Sequence, residues 1–261
     1  MADPAILAFA SVSDDIDARH IATFGKTFRR IGRYVKLAQL GAVACMAGVD
    51  RGALGRIGVF LGSGLGNTAD IVPLAEGILH PHKPWSSPMA FAGSVGNAAA
   101  FYVARTLALD GPNVTVSQEE ISFEGALLEA KLALAAGVVD HALVGGVDVR
   151  TGSDAEQRER IAAEDLPGDI TEGAGFLLLG PGSGWRVEEV WIGAADALLD
   201  SIPEGATVLR GWRMPGATET RLVSIATALA LVDTLERSDA EVVVHVQRTV
   251  GGVGARVRLH R

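Results

Sequence analysis

The chain has little of what disulfide frameworks, cysteine-rich metal sites and nucleic-acid binders need. Its single cysteine, Cys45, excludes an internal disulfide and a metal site built from several cysteines. Its 23 basic residues are outnumbered by 31 acidic ones, for a formal net charge of −8. Nucleic-acid binding rests on a broad basic surface that neutralises phosphates, so we expect no nucleic-acid partner.

Long hydrophobic runs are also missing. No apolar stretch approaches the roughly 18 residues that span a bilayer, and the first residues lack a basic region that leads into an apolar one. These absences predict a cytoplasmic protein with no membrane partner. Cys45 lies among Ala44, Met46 and Ala47, which predicts a buried structural thiol in an apolar helix.

Motifs for cofactors and metals are weak. None of the six histidines belongs to a zinc-protease helical pair, and no Gly-x-Ser-x-Gly elbow marks a serine nucleophile. His141 and His245 fall at or in apolar strands and are expected to be structural. The glycines from Gly62 to Gly66 follow a strand as in a dinucleotide-binding turn, but Asn67 stands where a third glycine belongs. We predict a tight turn there, no metal and no cofactor.

What the sequence does contain is an alternation of short apolar runs and helical patterns, punctuated by 32 glycines. This alternation is typical of an α/β fold. The predicted strands are 5–9, 57–61, 114–116, 142–144, 176–179, 185–191, 242–246 and 256–259. The predicted helices are 28–47, 97–109, 123–134 and 219–236, each with an apolar stripe or a terminating glycine.

Two segments are predicted to lack regular structure. Three prolines between Pro81 and Pro88 favour an irregular chain from the turn at Gly66 as far as Pro88. A polar, acidic stretch from Asp154 to Asp169 is predicted to be a loop. No low-complexity linker divides the chain, so a single compact domain over residues 1–261 is the simplest organisation.

Several segments resemble the β-ketoacyl synthases of fatty acid and polyketide synthesis. The stretch from Ser87 to Ala100 reads SPMAFAGSVGNAAA, and 109–117 reads LDGPNVTVS. In that family a proline and a phenylalanine precede a small-residue helix, and a Gly-Pro turn then leads into the strand before the catalytic cysteine. The stretches 56–64, 142–148 and 172–179 are similar to the family as well.

The resemblance implies a thiolase-like layered α-β-α-β-α fold with a truncated second half. It covers residues 1–180 and returns weakly at 251–257, GGVGARV, which is similar to the last glycine-rich turn and strand of the family. The part from 181 to 261 is therefore expected to be reduced. It has neither the His-Gly-Thr-Gly-Thr motif nor the Asn-x-x-Gly-His motif that carry the two catalytic histidines of ketosynthases.

The nucleophilic cysteine of the family is missing too. Laid along the family pattern, its position falls in 117–122, with Glu120 the predicted occupant and Gln118 and Glu119 its neighbours. A helix N-terminus there stabilises a thiolate, and a carboxylate fits the same electrostatic site. A carboxylate is a poor acyl carrier, however, because its product would be a mixed anhydride. We therefore predict no catalytic residue.

The functional class implied by these absences is the chain length factor, a ketosynthase-like subunit that pairs with an active ketosynthase. The surroundings of Glu120 are similar to those in short ketosynthase-like proteins of aryl polyene pathways. The expected partners are an active β-ketoacyl synthase subunit and, indirectly, acyl carrier protein. The candidates for contacting the partner or shaping its acyl tunnel are Phe91, Val95, Val114, Val116 and Phe123, although they could equally fill this chain's own core.

Two other readings stay open at the sequence level. One is a residual malonyl-carrier decarboxylase, because some family relatives with glutamine at the nucleophile position decarboxylate without condensing. Gln118 lies two places from that position, and the missing histidines argue against this reading. The other is an acyl-binding or regulatory homodimer that has no ketosynthase partner.

Overall fold

The computed structural model describes residues 3–25, 31–80, 91, 93–200 and 202–261. Eleven strands are found in these residues: β1 Ala5–Val12, β2 Ile57–Gly62, β3 Asn113–Val116, β4 His141–Asp148, β5 Asp169–Ile170, β6 Gly173–Gly180, β7 Arg186–Ala194, β8 Thr207–Arg210, β9 Arg221–Leu222, β10 Val242–Arg248 and β11 Val253–His260. The described helices are α1 Ile16–Phe24, α2 Arg33–Cys45, α3 Thr68–Leu79, α4 Ala98–Leu107, α5 Ser122–Ala135, α6 Asp154–Arg160 and α7 Ala226–Arg237.

Nine strands form one sheet in the order β3-β2-β4-β6-β1-β7-β11-β10-β8. The sheet has two parts, because β1 and β7 share only the register pair Ala5–Arg186, whereas the other neighbours pair over four residues or more. β3 lies at one end of the order and pairs in parallel with β2. Strands β4 and β6 are buried along their whole length, as expected for strands covered on both faces.

Helices α5 and α7 form the central layer of the molecule. They pack on one face of the first group of strands and also reach the second group, α5 through β7 and β11 and α7 through β10. Helices α2 and α4 cover the opposite face of the first group. Loop residues Leu198 and Met214 pack on the outer face of the second group, against Val244 and Val246. This order of layers confirms the thiolase-like α/β fold predicted from the resemblance.

Cys45 is 2% exposed at the end of α2, which confirms the predicted buried thiol. Burial raises the pKa of its thiol to about 12, so the group stays protonated at neutral pH.

Three predictions of local structure are wrong. The chain after Gly66 is not irregular, because α3 runs from Thr68 to Leu79 with Pro73 inside it. A proline removes one backbone hydrogen bond, and this helix continues without it. The predicted loop 154–169 begins with the short helix α6, which is capped reciprocally by Ser153 and Glu156. The predicted helix 219–236 begins only at Ala226, because Arg221 and Leu222 pair with β5. Residues 81–88 of the predicted irregular stretch lie outside the described residues.

Within the described part of the chain, no helix has the length and apolar character needed to cross a membrane.

Candidate functional site at the start of helix α5

The site lies where β3 turns into α5. A 3-10 turn, Glu119–Ile121, joins the two elements, and Glu119 adopts a left-handed backbone conformation with φ of 51°. Gly62, at the end of the neighbouring strand β2, makes this approach possible, because a Cβ there would collide with the backbone of Ser122 and Phe123. Ser122 fixes the turn, since its hydroxyl donates to the Glu119 carbonyl at 2.6 Å and accepts from the Gln118 N–H at 2.8 Å.

The three polar residues predicted at this place point in different directions. Gln118 and Glu119 are exposed, whereas Glu120 is buried, with 3% of its surface accessible. The turn therefore carries one carboxylate into the interior. This is the residue that the family pattern places at the nucleophile position.

Arg213, in the loop after β8, pairs with Glu120. Its Nε and Nη2 atoms donate to Oε1 of Glu120 at 3.0 and 2.6 Å. The same guanidinium donates to the carbonyl of Ala162 at 3.1 Å and to the carbonyl of Ile161, and it stacks on the Trp212 ring at 4.4 Å from the centroid. The ion pair therefore joins three segments that are far apart in the sequence.

A second buried carboxyl lies one helical turn further along. Glu124 is fully buried, and its Oε1 accepts from the Thr227 hydroxyl of α7 at 2.6 Å. Burial raises the pKa of Glu124 to about 7, and the charge of Glu120 adds to the effect. Burial raises the pKa of Glu120 as well, although Arg213 opposes that rise. Of these two carboxyl groups, Glu120 is paired with a cation, Arg213, and Glu124 is not.

Several buried polar atoms around these carboxyls have no hydrogen-bond partner in the described residues. They are Oε2 of Glu120, Oε2 of Glu124, Nε2 of Gln247 and both ring nitrogens of His245. Strand β10, which carries His245 and Gln247, lies against the 119–121 turn. Burial lowers the pKa of His245 to about 3, with a further contribution from the charge of Arg221, so its imidazole is neutral. The described residues contain no cluster of three or more His, Cys, Asp or Glu side chains arranged to hold a metal.

The glycine turn after β2 is occupied by an internal carboxylate. Asp148, at the end of β4, accepts from the Ser63 hydroxyl at 2.5 Å and from the N–H groups of Gly64 and Leu65 at 3.1 and 3.0 Å. Burial raises the pKa of Asp148 to about 6. Because these N–H groups already donate to Asp148, the turn serves to join β2 to β4, in agreement with the tight turn predicted from the sequence.

The five apolar candidates fall into two groups. Phe123 is fully buried in the central core, and Val114 and Val116 are partly buried against the same core. Phe91 and Val95 are 65% and 44% exposed. Sequence reasoning missed Phe101, which is 51% exposed on α4, a helix that packs beside β3. It also missed Arg213, because Arg213 and Glu120 are 93 positions apart in the sequence, which leaves no local signal for the pairing.

The buried carboxyl of Glu124 gives a testable dependence of stability on pH. Its pKa is raised from 4.5 to about 7, so between these values the folded chain holds a proton that the unfolded chain has released. This contribution to the free energy of unfolding is complete below pH 4.5 and is lost as the pH rises through 7. We expect the free energy of unfolding of Glu124→Gln, relative to that of the parent chain, to rise by about 3 kcal/mol between pH 4.5 and pH 8.

Urea unfolding of the variant and the parent at several pH values measures this difference. The matched control is Glu129→Gln, which makes the same substitution on the exposed side of the same helix and leaves the buried carboxyl in place. Because His245 and Asp148 titrate in both chains, only the difference between variant and parent isolates Glu124. A constant difference for Glu124→Gln would contradict the assignment.

The comparisons with known proteins agree with this geometry. Residues 9–157 match the family model for the β-ketoacyl synthase N-terminal domain, which includes β3, the turn and α5. No curated protein sequence matches the chain significantly.

Solved structures similar to this chain share its fold over nearly its whole length. The ishigamide ketosynthase/chain length factor has a TM-score of 0.79 at 16% identity, with 99% of each chain covered. A β-ketoacyl synthase from Burkholderia phymatum has a TM-score of 0.76 at 16% identity, with 100% of each chain covered. The ketosynthase (ApeO) in complex with its chain length factor (ApeC) from Xenorhabdus doucetiae has a TM-score of 0.63 at 15% identity, covering 99% of this chain and 98% of that one. At these identities the likeness shows the fold.

Proposed function

This chain belongs to the β-ketoacyl synthase family, and from that premise we propose that it is a non-catalytic subunit of the chain length factor type. In this role it pairs with an active β-ketoacyl synthase in polyketide or fatty-acid-type synthesis in the cytoplasm. The similarity of the surroundings of Glu120 to short ketosynthase-like proteins of aryl polyene pathways favours a pathway of that type. Acyl carrier protein reaches this subunit only through the partner.

The proposal rests mainly on the burial of Glu120 and on its pairing with Arg213. The family places an acyl-accepting thiolate at the start of this helix, and here the position holds a buried carboxylate whose Oε1 is bound by Arg213. A carboxylate cannot form the thioester on which condensation depends. Gln118 is exposed and lies two residues before Glu120, which argues against the decarboxylase alternative.

Within the described residues no strand pairs with the outer edge of β3, and this edge supports a partner at this side of the molecule. The N–H groups of Val59 and Ser63 donate to the carbonyls of Pro112 and Val116, so alternate residues of β3 face β2. The N–H and carbonyl groups of Asn113 and Thr115 therefore point away from β2, toward the open edge. A second subunit can pair with such an edge by adding a strand.

Exposed apolar side chains extend this surface. Phe101 is about half exposed on α4, the helix that packs beside β3, and Val95 and Phe91, in the segment before α4, are 44% and 65% exposed. None of the residues of α3 is fully buried, and its Ile78 and Leu79 are each 73% exposed. Asn67, just before α3, donates to the Val95 carbonyl at 3.3 Å, which joins α3 to the same side. Exposed apolar side chains of this size are typical of subunit interfaces.

Co-expression tests the proposal. A ketosynthase from the same genome that has the cysteine and both histidines is co-expressed with this chain, and one subunit carries an affinity tag. We expect the mass of the purified complex to correspond to one copy of each chain. A stable homodimer of this chain that excludes the ketosynthase would favour the regulatory homodimer and contradict the heterodimer.

A further inference from the structure

Arg213, which binds Glu120, lies between the protein surface and the interior. Its side chain is 10% exposed, and its guanidinium donates inward to Glu120 and sideways to the carbonyls of Ile161 and Ala162. On its outer side Arg213 lines a surface pocket of about 420 Å³. Glu164, Leu166, Arg248 and Val250 line the same pocket, whereas Glu120 does not.

The atoms behind Arg213 are polar and unsatisfied. Oε2 of Glu120 and Oε2 of Glu124 are buried and have no partner in the described residues, and the same holds for the amide nitrogen of Gln247. Buried polar atoms are nearly always hydrogen-bonded in folded proteins, so this group of atoms is suited to polar contents such as water. The Arg213 guanidinium lies between the pocket, which it lines, and Glu120, which it binds.

We propose that Arg213 is a closure that seals the nucleophile position from the outer pocket. A molecule in the outer pocket reaches residue 120 only after the guanidinium has left Glu120, Ile161 and Ala162. The inference deepens the proposed function, because it adds a physical barrier to the loss of the cysteine. Reactivity at this position is then excluded by access as well as by chemistry.

Four contacts hold the closure in place. Two are the charged hydrogen bonds to Glu120, and two are the hydrogen bonds to backbone carbonyls. Stacking on Trp212 fixes the plane of the guanidinium, and Arg248 binds the backbone carbonyl of Arg213 at 3.0 Å. A side chain fixed from this many directions opens only rarely, which makes the closure measurable as a rate.

A thiol at position 120 reports access directly. The chain has one cysteine, Cys45, and that thiol is buried, so a new cysteine can be labelled with little background. Glu120→Cys removes the two hydrogen bonds to Glu120 but keeps the donation of Arg213 to the carbonyls of Ile161 and Ala162 and its stacking on Trp212, so the closure in this variant depends on those three contacts. The experiment compares Glu120→Cys with Glu120→Cys/Arg213→Ala, using iodoacetamide on the folded chain, alone and in the ketosynthase complex. Val250→Cys, on the outer wall of the pocket, is the accessible control in both backgrounds.

Labelling of Glu120→Cys is expected to be about 100-fold slower than labelling of the double variant when each rate is divided by the thiolate fraction. That fraction comes from the pH profile of the rate, because a neighbouring arginine lowers the pKa of a thiol. Equal rates for the single and the double variant would overturn the proposal. If Arg213→Ala does not fold, as judged by circular dichroism, Arg213→Gln is used instead, since a shorter neutral side chain also opens the pocket.

The result of the labelling experiment can be distinguished from the result of the test of the proposed function. The mass of the ketosynthase complex reports whether the two chains pair, whereas the labelling rate reports access to position 120. A heterodimer with a rapidly labelled Glu120→Cys refutes the closure alone. A slowly labelled Glu120→Cys in a chain that binds no ketosynthase refutes the partner alone.

Discussion

Thr115→Pro is expected to weaken binding of the ketosynthase partner by at least about 100-fold. The N–H of Thr115 points to the open edge of β3, so proline removes a donor that only a partner strand could use. The preceding Val114 is in a strand, and extended backbone is the conformation that a following proline favours. The change therefore acts on assembly, with little cost to pairing between β3 and β2.

Thr115→Val is the matched control for this variant. The Thr115 hydroxyl is buried and has no partner in the described residues, so replacing it with a methyl group keeps the N–H and the shape of the side chain. Affinity for the tagged ketosynthase is measured for both variants by surface-immobilised titration, and urea unfolding checks the fold. If Thr115→Pro folds and binds as tightly as Thr115→Val, the partner does not add to this edge.

Arg213→Met is expected to lower the free energy of unfolding by about 3 kcal/mol at pH 8. The substitution leaves Glu120 3% exposed with no counter-charge, and a buried charge without a partner is costly. Burial already raises the pKa of Glu120, and loss of Arg213 removes the charge that opposes this rise. The loss should therefore shrink as the pH falls and the carboxyl takes up a proton.

The double variant Glu120→Gln/Arg213→Met isolates the pair. We expect it to recover most of the lost stability, because the uncompensated charge is gone. The exposed pair between Arg19 and Asp14, with side chains 43% and 75% exposed, provides the reference. Arg19→Met should cost under about 1 kcal/mol. A cost for Arg213→Met no larger than this reference would show that the ion pair does not stabilise the site.

The sequence predicted the elements whose pattern is local. Strands such as Ile57–Gly62 and His141–Asp148 and the helix from Ser122 to Ala135 follow from apolar periodicity, and the resemblance ordered them into layers. The helix α3 was missed because Pro73 outweighed the surrounding helix-compatible residues. Helix propensity predicts poorly where one residue disfavours the helix that its neighbours favour.

The candidate site was predictable only in part, and for a physical reason. The place of Glu120 at the start of α5 follows from the family pattern, because strand, turn and helix are contiguous in the chain. Arg213, Thr227 and Gln247 reach the same region from the last third of the chain, and no periodicity links them to Glu120. Burial and the resulting pKa shifts depend on these distant contacts, so only the folded chain reveals them.

We propose that this subunit takes part in condensation without performing it. The most direct test is a condensation assay with malonyl carrier protein on the purified complex. The assay is repeated with one substitution in each subunit in turn. We predict that Glu120→Gln leaves the activity unchanged and that replacement of the partner's nucleophilic cysteine by alanine abolishes it. Loss of condensation with Glu120→Gln in an intact complex, or release of carbon dioxide by this chain alone, would contradict the claim and identify Glu120 as part of an active site.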